Sequence, residues 1–138
     1  MKYLGIDFGT KRTGVAISDE DGRIAFPHSV IATSKNLVAE LRFLSTKEHV
    51  GTFVFGNSID GSGKENPVMK HVHALADTLT QHGEVLFEDE RYSSQHASRG
   101  HEENAMHDAS TAAIILQSYL DRINKKPLGA DQYTVHKE

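Results

Sequence analysis

Three acidic positions carry the chemistry open to this sequence: Asp7, the run Glu88-Asp89-Glu90, and Asp108. Each falls where an apolar segment gives way to a turn or a helix opening. An acid left unpaired at the end of an inner strand costs several kcal/mol, so it needs a partner. Oxygen donors without cysteine or clustered histidine suit a hard divalent cation, Mg²⁺ or Mn²⁺. Two such ions about 4 Å apart stabilise both the attacking water and the leaving oxygen of a phosphodiester. Each acid also has a purely structural reading. Asp7 can cap backbone amides of its own turn, and Asp108 can cap the helix that begins Ala109-Ser110-Thr111. Glu88 to Glu90 can be a solvated acidic turn, and Lys11, Arg12 and Arg91 ordinary surface charge. What favours the joint reading is position, because one topology could bring all three acidic sites together.

That topology must come from the elements around them. Leu4, Ile6 and Phe8 alternate with Tyr3, Gly5 and Asp7, which is the period of a strand. Gly9 and Gly14 punctuate a tight turn before a second strand, Thr13 to Ser18. Asp19-Glu20-Asp21-Gly22 turns into a third strand from Arg23 to about Ile31, which Pro27 confines to a sheet edge or a bulge. Ser34 can cap a helix striped by Leu37, Val38, Leu41 and Leu44, with Gly51 ending that unit before the strand Thr52–Gly56. After a loop from Asn57 to Lys64, Asn66-Pro67 opens a helix whose inner face is Val68, Val72, Leu75, Ala76 and Leu79. Gly83 stops it ahead of Val85-Leu86-Phe87. The last helix carries Ala109, Ala112, Ala113, Leu116, Tyr119 and Leu120 on one stripe.

The initial hairpins imply antiparallel pairing, and two strand-helix-strand passages imply parallel pairing through crossovers. The expected fold is α/β, a mixed five-stranded sheet flanked by helices. Chemistry in such sheets collects at the carboxyl ends of strands, where Asp7 lies. If the first and last parallel strands are neighbours, their exits bring Asp7 to the Glu88–Glu90 segment, and the final helix adds Asp108.

With 138 residues the chain suffices for one domain, 1–124, followed by a polar tail, 125–138. No apolar run approaches the length of a membrane span. Met1-Lys2-Tyr3-Leu4 enters a strand directly, so no secretory leader is expected. The absence of cysteine excludes disulfides and thiolate metal sites, and fits a cytoplasmic location. A net charge of -4 argues against a bulk electrostatic nucleic-acid binder, though not against an enzyme with a local basic patch. His71 and His73 would point to different helix faces, which speaks against a histidine metal site.

Gly5-Ile6-Asp7-Phe8-Gly9-Thr10-Lys11-Arg12-Thr13-Gly14-Val15-Ala16 resembles the first motif of the YqgF family. Asp89-Glu90-Arg91-Tyr92-Ser93-Ser94 resembles that family's second motif, and Asp108 to Leu116 its closing helix. The likeness runs from about residue 3 to 120. These are RuvC-like proteins described as Holliday junction resolvases and as nucleases maturing the precursor of 16S ribosomal RNA.

The resemblance implies a ribonuclease H-like fold and metal-assisted phosphodiester hydrolysis. It makes Asp7, Glu90 and Asp108 both the catalytic triad and the ligands of two Mg²⁺ or Mn²⁺ ions, with Asp7 bridging. Adjacent Asp89 competes with Glu90 for the inward position. The turn residues Gly9, Thr10, Lys11 and Arg12, with Arg91, would contact the phosphates of structured RNA or branched DNA. Two departures stand out. Gly56-Asn57-Ser58 replaces the usual Gly-Leu-Pro, and Glu103-Asn104-Ala105-Met106-His107 replaces a basic run, which implies a weaker phosphate grip.

Processing of the 5′ end of precursor 16S rRNA is the leading expectation, with junction-resolving DNA cleavage and a non-catalytic adaptor as alternatives. The first motif is also similar to the phosphate-binding hairpin of actin-like ATPases and sugar kinases, but those enclose ATP between two such domains. Monomer and homodimer both stay open.

Overall fold

The computed structural model describes residues 1–90 and 105–125, with side chains in the second stretch from 108 onward. Five strands and three helices follow one another: β1 (Lys2–Asp7), β2 (Arg12–Ser18), β3 (Ala25–Ala32), α1 (Leu37–Glu48), β4 (Val50–Asn57), α2 (Met69–Leu79), β5 (Glu84–Asp89) and α3 (Ala105–Asn124). They form one mixed sheet in the order β3-β2-β1-β4-β5. The β1-β2 and β2-β3 pairs are antiparallel, and the β1-β4 and β4-β5 pairs parallel.

Two expectations about neighbours are corrected. β4 lies between β1 and β5, so the first and last parallel strands are not adjacent. Nor does β4 pair with β3: the chain passes through α1 and over β2 and β1 to pair on the far side of β1. Leu4, Ile6, Phe53 and Phe55 supply a wholly buried surface there, one that an exposed edge strand could not offer. β3 is that edge. Pro27 sits at a bulge in it, where the partner of Val15 is Ser29 and that of Ala16 is already Pro27. Edge and bulge are the two places where a residue without an N–H is tolerated.

Alternation splits the core into two layers. Leu4, Ile6, Val15, Phe53 and Phe55 pack under α1 and α2. On the opposite face, Ala16 and Val54 meet Ala112, Leu116 and Leu120 of α3. That second layer is built from small residues because α3 lies close: a Cβ on Gly5 would come within 2.8 Å of the Leu116 Cβ.

Helix ends differ in detail from the expected caps. Ser34 makes a turn three residues ahead of α1, its Oγ accepting the Asn36 N–H at 3.1 Å, while Asn36 is the capping position. α1 ends at His49 in the left-handed conformation (φ 60°), and Gly51 already belongs to β4. Asn66 holds the turn before α2 by accepting the Val68 N–H at 3.0 Å, so the helix starts at Met69, which takes the inner place expected for Val68. Among the described residues no helix is long and apolar enough to cross a membrane. The expected tail, 125–138, lies outside the described residues apart from Lys125.

Candidate active site

Asp7 is the last residue of β1 and shares its sheet face with Gly5, the face covered by α3. Its two lateral neighbours are glycines. The antiparallel register sets it beside Gly14 of β2. The parallel register that pairs Ile6 with Phe55 carries Gly56 to its other flank. Neither glycine is spare room. A Cβ on Gly14 would strike the backbone carbonyl of Asp108, and one on Gly56 would strike the Glu90 carboxylate. The missing side chains admit the Glu90 carboxylate on one flank and the backbone of Asp108 on the other. Glycine inside a strand often marks such a close approach.

Asp7, Glu90 and Asp108 are therefore brought together, although β5 is one strand further away than expected. Their proximity is electrostatic as well as steric. The Asp7 carboxyl is pushed up to about 7, first by desolvation and then by the negative charges of Glu90 and Asp108. Glu90 is also pushed up, by burial and by Asp89. Asp7 accepts no hydrogen bond among the described residues, so the reading of Asp7 as a cap on its own turn finds no support. Asp89 pairs in register with Asn57 and alternates to the opposite face, whereas Glu88 and Glu90 lie on the side of α3.

Asp108 stands in the first turn of α3 and accepts a charge-assisted hydrogen bond from Arg12 Nε at 2.7 Å. Arg12 opens β2 and remains 40% exposed, so it bridges the acids to solvent. Gly9, Thr10, Lys11 and Arg12, with Asp108, line an open hollow of about 500 Å³. The turn is anchored from β3. Thr33 Oγ1 donates to the Gly9 carbonyl at 2.7 Å, the Thr33 N–H to the Lys11 carbonyl at 3.0 Å, and Thr33 Oγ1 meets Thr13 Oγ1 at 2.7 Å. Arg91, the remaining expected phosphate contact, lies outside the described residues, as do Tyr92 to Asn104.

Glu88 is not the solvated acid that its neighbours in sequence suggest. It is fully buried, accepts a hydrogen bond from Ser118 Oγ at 2.8 Å and forms an ion pair with Arg122. It pins α3 to the sheet and holds the helix that delivers Asp108. Spacing could have revealed this, since Ser118 and Arg122 are one turn apart on α3. His71 and His73 separate as expected: His71 stacks on Phe8, while His73 leans on Phe87 and meets Glu65 at 3.2 Å.

Among the described residues no three His, Asp or Glu side chains are gathered closely enough to hold a metal ion as they stand. The donor chemistry nonetheless fits a divalent cation. The carboxylates of Glu90 and Asp108 both act on the desolvated Asp7, which resists ionisation there, and Arg12 offsets Asp108. A hard cation would remove that penalty, whereas an apolar or anionic ligand would deepen it.

With this geometry in place, the chain can be set beside known proteins. The family model described as "RuvX: Holliday junction resolvase" matches residues 1–122. A protein of Ehrlichia chaffeensis described as "Putative pre-16S rRNA nuclease" is 32% identical, over 88% of this chain and 86% of its own length. One of the same description from Nitratidesulfovibrio vulgaris is 35% identical, over 88% and 94%. Among solved structures, Thermus thermophilus RuvC in complex with a Holliday junction substrate superposes with a TM-score of 0.61 at 13% identity, covering 91% of this chain and 96% of that one. At that identity the likeness establishes a shared RuvC-like, ribonuclease H-like fold.

Proposed function

The chain belongs to the RuvX Holliday junction resolvase family and is a nuclease; from that premise we propose that Asp7, Glu90 and Asp108 are its catalytic carboxylates, acting on precursor 16S rRNA in the cytoplasm. The observation that carries this reading is the pair of glycines flanking Asp7, one leaving space for the Glu90 carboxylate and the other for the backbone of Asp108. These three side chains would hold two Mg²⁺ or Mn²⁺ ions. Such ions, when bound, lower the pKa of an attacking water and offset charge on the phosphoryl oxygens.

The chain's own residues do the rest. Asp7, desolvated beside the other two acids, is held partly protonated, and a bound cation would favour its ionised form. Glu88 and its α3 partners keep Asp108 in place. Gly9, Thr10 and Lys11 form a turn that a phosphate can approach closely, and Arg12 and Arg91 orient that phosphate without reading base identity.

The test is cleavage of a precursor 16S transcript with Mg²⁺ or Mn²⁺, run beside Asp7→Asn. Expected is metal-dependent cleavage at the 5′ side that the substitution abolishes. Cleavage untouched by Asp7→Asn would overturn the assignment. Preferential cutting of a four-way DNA junction would move the function to recombination.

A further inference from the structure

α1 buries Leu37, Leu41 and Leu44, but Phe43 lies off that stripe and is 69% exposed. A single exposed aromatic residue is ordinary; its surroundings here are not. Phe43 borders a hollow of about 650 Å³ whose polar walls include Arg42, Thr46, His49 and His82, with Met1 at one side. Among the described residues no carboxylate lines it, in a chain whose net charge is -4. The nearby Glu48 is turned to Lys2, whose Nζ donates to it at 3.3 Å. His49 holds its place with a left-handed backbone (φ 60°, ψ 51°), a conformation that costs a β-carbon-bearing residue energy and that glycine would adopt freely.

The hollow lies at the starts of β1 and β4, marked by Met1 and Val50, whereas Asp7 and Asn57 mark the ends of those strands. At about 3.3 Å per residue the two regions stand roughly 20 Å apart. They also lie on opposite faces of the sheet, the hollow beside α1 and Asp7 beneath α3, so one strand of RNA must round the sheet to touch both.

We infer that this hollow is a second contact for a single-stranded stretch of the RNA substrate, with a base stacked on Phe43 and a phosphate held by Arg42, His49 and His82. The chemistry is complementary on both counts. Every base has a face for an aromatic ring, and every phosphate takes donors of this kind. The inference rests on the nucleic-acid substrate proposed above. It gives an acidic chain a grip on RNA remote from the carboxylates, which themselves repel phosphate.

The test is fluorescence anisotropy of a short labelled oligouridylate, titrated with the full chain carrying Asp7→Asn so that no cleavage intervenes. Added Phe43→Ala weakens binding about tenfold, the usual scale for a lost stacking platform. Arg42→Glu weakens it at least as much, and Phe43→Trp preserves it. Unchanged affinity in both Phe43→Ala and Arg42→Glu overturns the inference. So does sedimentation showing a dimer that Phe43→Ala dissolves while RNA affinity stays intact, since the face then belongs to a second copy. Hydrolysis of bis(4-nitrophenyl) phosphate by the unsubstituted chain, measured in parallel, reads the carboxylates alone. Its absence beside Phe43-dependent RNA binding would sink the nuclease assignment and uphold the groove.

Discussion

Gly56 lies beneath the Glu90 side chain, so closely that a Cβ at Gly56 would collide with the carboxylate and sit 3.0 Å from its Cγ. This is how Glu90 on the β5 side reaches Asp7 on β1 although β4 runs between them. A third strand separates the two acids, and one absent side chain opens the path across it.

Gly56→Ala should therefore act on the site more than on the fold. Displacing a carboxylate that positions a reacting centre costs about 10- to 100-fold in activity or metal affinity. Crowding against Ile115 should lower stability by only about 1 kcal/mol. Gly14→Ala meets backbone instead, the Asp108 carbonyl, and should cost about 3 kcal/mol because α3 must move. Urea melts and metal-dependent hydrolysis of the two variants separate the effects. Equal destabilisation would contradict the distinction.

The Asp7 carboxyl titrates near 7 in the folded chain and near its ordinary 3.8 when unfolded. Between those values the folded state holds a proton that the unfolded state has released. Stability in metal-free buffer thus falls as pH rises from about 4 to about 7, and the whole penalty applies above that. At about 1.4 kcal/mol per pH unit it amounts to at most about 4 kcal/mol. Glu90, also pushed up, acts in the same direction. Asp7→Asn should leave stability nearly unchanged at about pH 4 and raise it at about pH 8, measured by denaturant melts with chelator present. A variant less stable than the parent at the higher pH would refute the desolvated-acid picture.

Glu88 is a structural acid beside the proposed catalytic ones. Arg122→Ala should strand its charge in the core and cost about 3–5 kcal/mol, with Glu88→Gln much milder because Ser118 can still bond the amide. Activity per folded molecule should persist in Glu88→Gln, unlike in Glu90→Gln. Loss of turnover at full folding in Glu88→Gln would place Glu88 in the chemistry.

His49→Gly should relieve the left-handed backbone and raise stability by about 1 kcal/mol. Oligouridylate affinity should drop in the same variant. Thermal melts and anisotropy on one preparation test whether stability and binding move in opposite directions; a gain in both would deny His49 its role in the groove.

Arg12 bonds Asp108 while 40% exposed, within reach of a phosphate in the neighbouring hollow. Arg12→Ala should weaken RNA binding uniformly across sequences and reduce the slope of log affinity against log salt by about 1. An unchanged slope would confine Arg12 to holding Asp108.

Much of this molecule was legible before folding is considered. Period-two alternation around Leu4 and Ile6, the stripes of α1 and α3, and Pro27 at the edge are local consequences of side-chain geometry, and local geometry is written in neighbouring residues. The acidic positions at element ends, Asp7, the run Glu88 to Glu90 and Asp108, were equally readable as places needing compensation, because an acid where an apolar strand ends must find a partner. Two things required the tertiary structure. Strand order is a contest among burial surfaces distant in sequence, and Phe53 and Phe55 gained more against β1 than any spacing rule could reveal. The separation of Glu88, a buried anchor, from Glu90, a site acid, depends on which partners α3 brings: Ser118 and Arg122 for one, Asp7 across Gly56 for the other. Sequence determined which residues carry charge; only the packed sheet decided which of those charges had to face each other.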